Sequence, residues 1–131
     1  GLEAFLEAWS LTREPSELVL LGKPADRFDE ELRARLPASH HARITFQPLV
    51  APDALPAVIA AHDIGLALEE PAIRNRDLTI TNKILQYLNA GLAIVATDTA
   101  GQREVLAHAP DAGVFIPPAA DATARATLLD E

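Results

Sequence analysis

The sequence contains no cysteine and no methionine, and only 5% of its 131 residues are aromatic. Without cysteine the chain can form no disulfide, and it offers no thiolate as a metal ligand or nucleophile. This composition fits a reducing compartment. The sequence also lacks an apolar run of the roughly 20 residues that a membrane span needs, and no basic-then-apolar leader opens it. We therefore expect a cytoplasmic protein without a transmembrane segment.

Charge is unevenly distributed along the chain. The formal net charge is −8, which argues against general binding of nucleic acid because phosphate contacts need a basic face. Residues 74–103, in contrast, carry a formal charge of +2, and the rest of the chain carries −10. An anionic ligand should bind at this basic strip, unless its cations are simply solvated surface residues. The strip contains four cations and two acids, which are Arg74, Arg76, Lys83 and Arg103, and Asp77 and Asp98.

Apolar runs of strand length alternate with segments of helical periodicity. We predict helices at 2–9, 25–36, 54–62, 82–90, 101–109 and 119–131, and strands at 17–23, 42–48, 63–68, 92–98 and 112–118, the last ending at Pro117 and Pro118. Asp53 is a predicted cap for the third helix. Thr81 or Asn82 should cap the fourth, and Gly91 should close it in a left-handed conformation. Residues 69–79 show no periodicity and predict a loop.

The order of these elements indicates the fold class. Strands that are apolar throughout and that alternate with helices are typical of a parallel sheet covered by helices on both faces. A chain of 131 residues can bury one hydrophobic core but is short for two, so we expect a single Rossmann-like α/β domain, residues 1–131. In such sheets ligands bind at the carboxyl ends of the strands, where loops meet helix N-termini.

The sequence offers little hydrolytic or metal-binding chemistry. The four histidines lack the helical pair spacing or the nearby carboxylate that a metal site or a general base needs, so we expect no metal site. The Gly-x-Ser-x-Gly, Gly-Lys-Ser/Thr and Gly-x-Gly-x-x-Gly motifs are also absent, which disfavours standard triphosphate and dinucleotide sites. The histidines are His40, His41, His62 and His108.

The start of the predicted helix 82–90 is the best candidate for an anion site. Its free backbone N–H groups carry a partial positive charge, and Lys83 adds a full one beside them. Asn82 and Gln86 are four residues apart, so they share a helix face and could bond a ribose or sugar hydroxyl. The alternative is that Asn82 only caps, Lys83 is solvated and Gln86 is an ordinary helix former. The residues predicted to pack inward are Ile84, Leu85 and Leu88.

A second helix start lies in the segment TAGQRE, residues 99–104. Gly101 would allow the backbone to approach closely there, and Glu104 could act as a capping partner of Thr99. Plain capping is the simpler interpretation of this terminus.

Two segments resemble a known family. NKILQYLNAGLAIVATDTAGQREVL, residues 82–106, is similar to the family pattern NK-x-x-E-Y-x-x-A-G-x-P-V-(I/V)-A-T/S followed by a Gly-containing turn and a Glu. HDIGLAL, residues 62–68, resembles the strand before the family's donor loop. On these segments, and on their order after LVLLGK and ITFQPLV, the chain resembles the C-terminal, donor-binding domain of GT-B fold glycosyltransferases of glycosyl transferase group 1. The resemblance extends from the first helix to about Pro118.

The resemblance implies transfer of a sugar from a nucleoside-diphosphate sugar to an acceptor, with retention at the anomeric carbon and with no metal or other cofactor. It assigns no catalytic residue. The residues that it assigns to the donor diphosphate and sugar are Lys83, Asn82, Arg76 and Asp77. The residue at the ribose-binding position is Gln86. The residues that it places near the nucleotide base are Gln47, Pro48 and Leu49.

The sequence departs from the family pattern in three ways. Many members bind the donor ribose with the second of two glutamates separated by seven residues, whereas this chain has Leu78 and Gln86 there, with Asp77 one place off. The family's first strand, with a loop that clamps the diphosphate, is expected before the first helix and is not found. The acceptor-binding N-terminal domain is missing as well. We therefore expect a fragment that binds donor but is inactive alone, from an enzyme that could associate with a membrane.

Two other functions stay open. One is a non-catalytic, degenerate Rossmann-like module used for protein contacts, which the absence of both glutamates allows. The other is a nucleotide-sugar epimerase of the same two-domain fold, which would need a Glu and His pair near the interdomain cleft. No such pair is evident in this sequence.

Overall fold

The computed structural model describes residues 1–117 and 119–131. Its strands are β1 (Leu18–Leu21), β2 (Ile44–Gln47), β3 (Ile64–Ala67), β4 (Ala93–Thr97) and β5 (Gly113–Ile116). Its helices are α1 (Leu2–Trp9), α2 (Phe28–Ala34), α3 (Ala38–His41), α4 (Leu55–Ala60), α5 (Arg74–Leu78), α6 (Asn82–Ala90), α7 (Ala100–Ala107) and α8 (Ala122–Asp130), with a 3₁₀ turn at Pro110–Ala112. The chain forms two compact units, one of Gly1 with residues 52–120 and one of residues 2–51 with 121–131.

The unit of residues 2–51 and 121–131 contains β1 and β2. These strands pair in parallel, in register from Leu18 opposite Ile44 to Leu21 opposite Gln47. Helices α1 and α8 contact each other, and the backbone N–H of Arg13 donates to the Asp130 carboxylate at 3.0 Å. Hydrophobic burial holds this unit together. Its most buried apolar residues are Phe5, Leu6, Ala8, Trp9, Leu18, Leu32, Ile44 and Ala126.

The unit that includes residues 52–120 contains the parallel sheet β3-β4-β5, with β4 in the centre. Ile64 pairs with Ala93, and Ile94 pairs with Gly113. Helix α6 contacts both β3 and β4, and its buried Ile84 belongs to the core of this unit. The core residues are Ala67, Ile84, Ile94, Ala96, Val105 and Leu106, with Tyr87, Leu88, Ala112 and Phe115 packed against them.

The predicted α/β class is confirmed. Every strand pair in the described residues is parallel, and helices flank the sheets, as the alternation of apolar runs and helical periodicity indicated. Gly91 closes α6 with φ +75, the left-handed conformation that glycine adopts without a steric cost. Whether residues 1–131 act as one domain stays a prediction.

Several local predictions were wrong. Residues 69–79 are not all loop, because α5 forms within them; its first turn is closed by bonds from the N–H groups of Arg76 and Asp77 to the Ile73 carbonyl. A five-residue helix is too short to produce a periodic apolar pattern. The predicted helix 25–36 begins only at Phe28, because Arg27 takes a left-handed φ of 65.

Helix capping and burial bring further corrections. The N-cap of α4 is Ala54 and not Asp53, and the described chain shows no side-chain capping bond there. Leu85 is 47% exposed and does not pack inward, whereas Ile84 is completely buried. The short helix α3 was not predicted. Pro118, expected to help stop the last strand, lies outside the described residues.

Candidate functional site

The carboxyl end of β3 carries a buried carboxylate. Glu69 follows β3 by two residues and is only 6% exposed. Its backbone N–H donates to Thr97 Oγ1 at 3.1 Å, and this bond is buried. Thr97 is the last residue of β4, so the bond fixes Glu69 at the sheet edge where parallel α/β sheets bind ligands.

Two cations from different helices approach the Glu69 carboxylate. Lys83 Nζ lies 3.1 Å from Oε1, and Arg76 Nη1 lies 3.9 Å from Oε2. The side chains of both cations are more than half exposed, at 52% and 59%, whereas that of Glu69 is 8% exposed. One buried carboxylate thus pairs with two solvent-accessible cations, and the three side chains together carry a net charge of +1. This charge arrangement suits an anionic ligand that approaches from solvent.

Helix α6 begins beside this charged group. Its N-cap is Thr81, in an extended conformation, and Thr81 Oγ1 is buried with no hydrogen-bond partner among the described residues. The first N–H groups of a helix have no intrahelical acceptor and carry the positive end of the helix dipole. Asn82 and Gln86 are both exposed, on one face of the nine-residue helix. The predicted combination of a helix start, Lys83 and exposed amides is therefore present.

The start of α7 is occupied by groups of the chain itself. Thr99 caps the helix by accepting the Gln102 N–H at 3.3 Å, and Asp77 Oδ1 accepts the Ala100 N–H at 3.0 Å. The capping bond therefore comes from Gln102 and not from Glu104. A carboxylate at this position interacts favourably with the helix dipole. Asp77, which the resemblance assigns to the donor, thus lies at the α7 terminus.

Gly101 packs directly against the segment between α5 and α6. A Cβ atom at this position would lie 2.6 Å from the Thr79 carbonyl oxygen, a distance that only glycine allows. The expected close backbone approach is confirmed, and it is made to the chain itself. The contact places the loop that leads into α6 against α7.

Gln102 is a completely buried amide in the same unit. Its Nε2 donates to the Ala67 carbonyl at 2.9 Å, while its Oε1 has no partner among the residues described. Because Ala67 ends β3, this bond ties α7 to the strand from which Glu69 follows. Gln102 therefore helps to fix the end of β3, from which the site residue Glu69 follows.

The remaining basic residues of the strip 74–103 have different surroundings. Arg103 forms a two-pronged ion pair with Asp98, with Nη2 2.8 Å from Oδ2. The hydrogen bonds from Arg103 lower the pKa of the Asp98 carboxyl group. Arg74 is exposed. The excess positive charge predicted for the strip is thus concentrated at Lys83, Arg76 and Arg74, because Arg103 is neutralised by its neighbour.

The three residues expected near a nucleotide base lie in the other unit, at the end of β2. The Gln47 carbonyl accepts the Gly22 N–H at 2.8 Å, which extends the pairing of β1 and β2 by one residue. Pro48 is exposed, and Leu49 is 74% exposed. An apolar side chain this exposed is free to contact a planar ligand.

Sequence reasoning missed three buried polar residues of the site. Glu69 was treated as the first residue of a loop, Thr97 as part of a strand, and Gln102 as part of a helix. The one available signal was the polarity of Glu69 directly after an apolar strand. Burial, which distinguishes all three from ordinary polar residues, cannot be read from residue type.

The described residues contain no cluster of His, Cys, Asp or Glu that could hold a metal ion. In the same part of the chain, no helix is both long enough and apolar enough to cross a bilayer.

Comparison with known proteins gives a match over nearly the whole chain. A family model described as glycosyl transferases group 1 matches residues 1–130. The match spans both compact units. No curated protein sequence matches the chain significantly.

Proposed function

Because the chain belongs to the group 1 glycosyl transferases, we propose that it binds the nucleoside-diphosphate sugar from which the enzyme transfers a sugar to an acceptor. The observation that carries this proposal is the buried Glu69 carboxylate that holds Lys83 and Arg76 beside the start of α6. Its net positive charge and its exposed cations match a diphosphate. The proposal follows the family in being retaining and independent of a metal ion.

The chemistry of the leaving group explains the need for this charge. When the bond between the sugar and the diphosphate breaks, negative charge develops on the departing phosphate oxygen. Fixed cations and helix N–H groups stabilise that charge more in the transition state than in the ground state. In a transfer without a metal, Lys83 and the first N–H groups of α6 supply the stabilisation, with Arg76 beside them.

The exposed amides of α6 provide hydrogen bonds to hydroxyl groups. Gln86 lies one turn after Asn82 and both are exposed, so an amide at each position can donate to and accept from a sugar. We assign the ribose to Gln86 and the donor sugar or diphosphate to Asn82. Compared with glutamate, Gln86 bonds a hydroxyl without charge assistance, and the bond is correspondingly weaker.

The proposal divides the reaction between parts of a larger enzyme. The acceptor is assigned to an N-terminal domain outside these residues. Residues 1–131 alone should therefore bind donor without turning it over. Catalysis of sugar transfer by this chain alone at ordinary enzyme rates would contradict that division.

Nucleotide binding tests the proposal. UDP, GDP and their sugars are titrated calorimetrically into the wild-type chain and into Lys83→Ala. We expect one nucleoside diphosphate to bind, and Lys83→Ala to raise its Kd by about fivefold or more, the scale of one partly exposed charged hydrogen bond. The proposal fails if no nucleotide binds to the wild type, the result expected of a degenerate interaction module, or if Lys83→Ala binds as tightly.

A matched control comes from the other unit. Arg35→Ala also removes one cation, and the Arg35 side chain is 51% exposed, close to the 52% of Lys83. It should leave the Kd within about twofold, because Arg35 is not one of the residues assigned to the donor and the charge of an exposed side chain is screened by salt. Equal effects of the two variants would mean that only overall charge matters.

Two measurements on the full-length enzyme test the finer parts of the proposal. NMR of the product gives its anomeric configuration and so tests retention. Activity in the presence of a chelator tests independence of a metal ion.

A further inference from the structure

The least expected feature of the site is a buried acid where an anion is proposed to bind. The Glu69 side chain is 8% exposed, and each of its oxygens faces a cation. A carboxylate in this position repels a phosphate, so simple electrostatics would disfavour it. Its presence therefore calls for a role other than charge.

We propose that Glu69 is a positioning residue, which fixes Lys83 and Arg76 in the orientation that receives the donor diphosphate. This inference rests on the proposed function of the chain as a donor-binding domain. Lysine has a flexible four-carbon side chain and loses much conformational freedom when it is held in place. A partner that orients the amine before the ligand arrives removes part of that loss from the binding step.

The geometry around Glu69 supports this role. The backbone of Glu69 is anchored, because its N–H donates to Thr97 Oγ1 at the end of β4. The two carboxylate oxygens then reach cations from two separate elements, Arg76 of α5 and Lys83 of α6. Held so close together, the two cations would repel each other, and the acid between them offsets that repulsion. The bond to β4 thereby helps to set the positions of two exposed side chains.

This role makes a prediction opposite in sign to that of charge alone. Glu69→Gln removes one negative charge next to the site. If Glu69 acted only through its charge, the variant would bind diphosphate more tightly, because a repulsive group has gone. If Glu69 positions Lys83 and Arg76, the variant should bind more weakly, by roughly five- to tenfold in Kd, the scale of one net hydrogen bond.

The neighbouring acid provides the matched control. The Glu70 side chain is 46% exposed, and its carboxylate pairs with the N-terminal amine at 3.7 Å. Glu70→Gln makes the same chemical change one residue along, and should change the Kd by less than about twofold. Thr97→Val removes the hydroxyl that anchors Glu69 without changing any charge, and should weaken binding in the same direction as Glu69→Gln.

The experiment measures the Kd of the best-binding nucleoside diphosphate for the wild type and for these three variants, with thermal unfolding as a check of folding. If Glu69→Gln does not fold, Glu69→Asp keeps the charge, withdraws the carboxylate by one methylene and should also weaken binding. Weaker binding by Glu69→Gln with unchanged Glu70→Gln supports the proposal. Equal or tighter binding by Glu69→Gln overturns it.

A second measurement works without nucleotide. The chain has only two lysines, Lys23 and Lys83, so NMR of the chain with labelled lysine resolves each ε-methylene group, and Lys83→Ala assigns them. We expect two distinct ε-proton shifts for Lys83 in the wild type and one averaged shift in Glu69→Gln. Identical Lys83 spectra in the wild type and Glu69→Gln refute the positioning role. If the Lys83 spectra of the two proteins differ but no nucleotide binds to the wild type, only the proposed function is refuted.

Discussion

The buried amide of Gln102 gives the sharpest test of how the unit that includes residues 52–120 is built. Its side chain is completely buried, and Nε2 donates to the Ala67 carbonyl at 2.9 Å. Gln102→Glu keeps the shape of the side chain but replaces this donor with a carboxylate. Two acceptors would then face each other out of contact with water. The folded variant can restore the hydrogen bond only if the new carboxyl group is protonated.

The free energy required follows from that protonation. The carboxyl group has a pKa of about 4.3 in the unfolded chain, and each pH unit above this costs about 1.36 kcal/mol. The variant should therefore lose about 1.7 kcal/mol of unfolding free energy at pH 5.5 and about 3.7 kcal/mol at pH 7.0. Because burial raises the folded-state pKa above the unfolded one, the loss vanishes below pH 4 and grows as the pH rises.

Urea unfolding followed by circular dichroism at both pH values checks this calculation, with wild type and variant compared at each pH. The expected difference between the two losses is about 2 kcal/mol. Gln86→Glu is the control, since Gln86 is exposed, and it should stay within about 0.5 kcal/mol of the wild type at both pH values. A loss for Gln102→Glu that does not change with pH would show that Gln102 is not enclosed as described.

Three further outcomes are expected. Gly101→Ala should lower the free energy of unfolding by about 1–3 kcal/mol, because its new methyl group would lie 2.6 Å from the Thr79 carbonyl oxygen. An unchanged urea midpoint would mean that the segment between α5 and α6 moves away from the methyl group without a cost in stability. Burial, and then the nearby charge of Arg43, lower the pKa of His40 from its ordinary 6.5. The stability that a neutral His40 contributes is therefore complete above the unfolded-state pKa and is lost as the pH falls through the lower folded-state pKa. His40→Phe should therefore make the unfolding free energy depend less on pH on the acid side than it does in the wild type. An identical pH profile for the two proteins would contradict this. Gln86→Glu should tighten nucleoside-diphosphate binding by roughly threefold, because a carboxylate accepts ribose hydroxyls more strongly than an amide does; weaker calorimetric binding would remove Gln86 from the ribose position.

The fold was largely predictable because its elements bury continuous apolar surface. Helix α6 shows why: Ile84 and Leu88 recur at helical spacing, and Gly91 ends the helix in the predicted left-handed conformation. Helix α5 was missed because its five residues expose both polar and apolar side chains, among them Leu78 at 60%. A short helix held by its connections leaves no periodic signal in the sequence.

The candidate site was predictable only in part. The position of Lys83 at the start of α6 followed from the capping and apolar pattern around it. The assignment of Asp77 beside it rested on nearness in sequence, whereas the structure directs its carboxylate to the Ala100 N–H. Arg103, counted among the four cations of the strip, pairs with Asp98. Ion pairing depends on distances between side chains, and charge counting along the sequence does not contain them.

The sequence by itself determined the parallel α/β class, the places of most strands and helices, and the helix start that carries Lys83, because hydrophobic periodicity and capping are local properties of a chain. Tertiary structure alone decided that Glu69 is buried and anchored by Thr97, and that its carboxylate holds cations from two different helices. These contacts join residues 7 to 28 positions apart. Their energetics depend on burial and on distances of a few ångströms, which exist only once the strands and helices have packed.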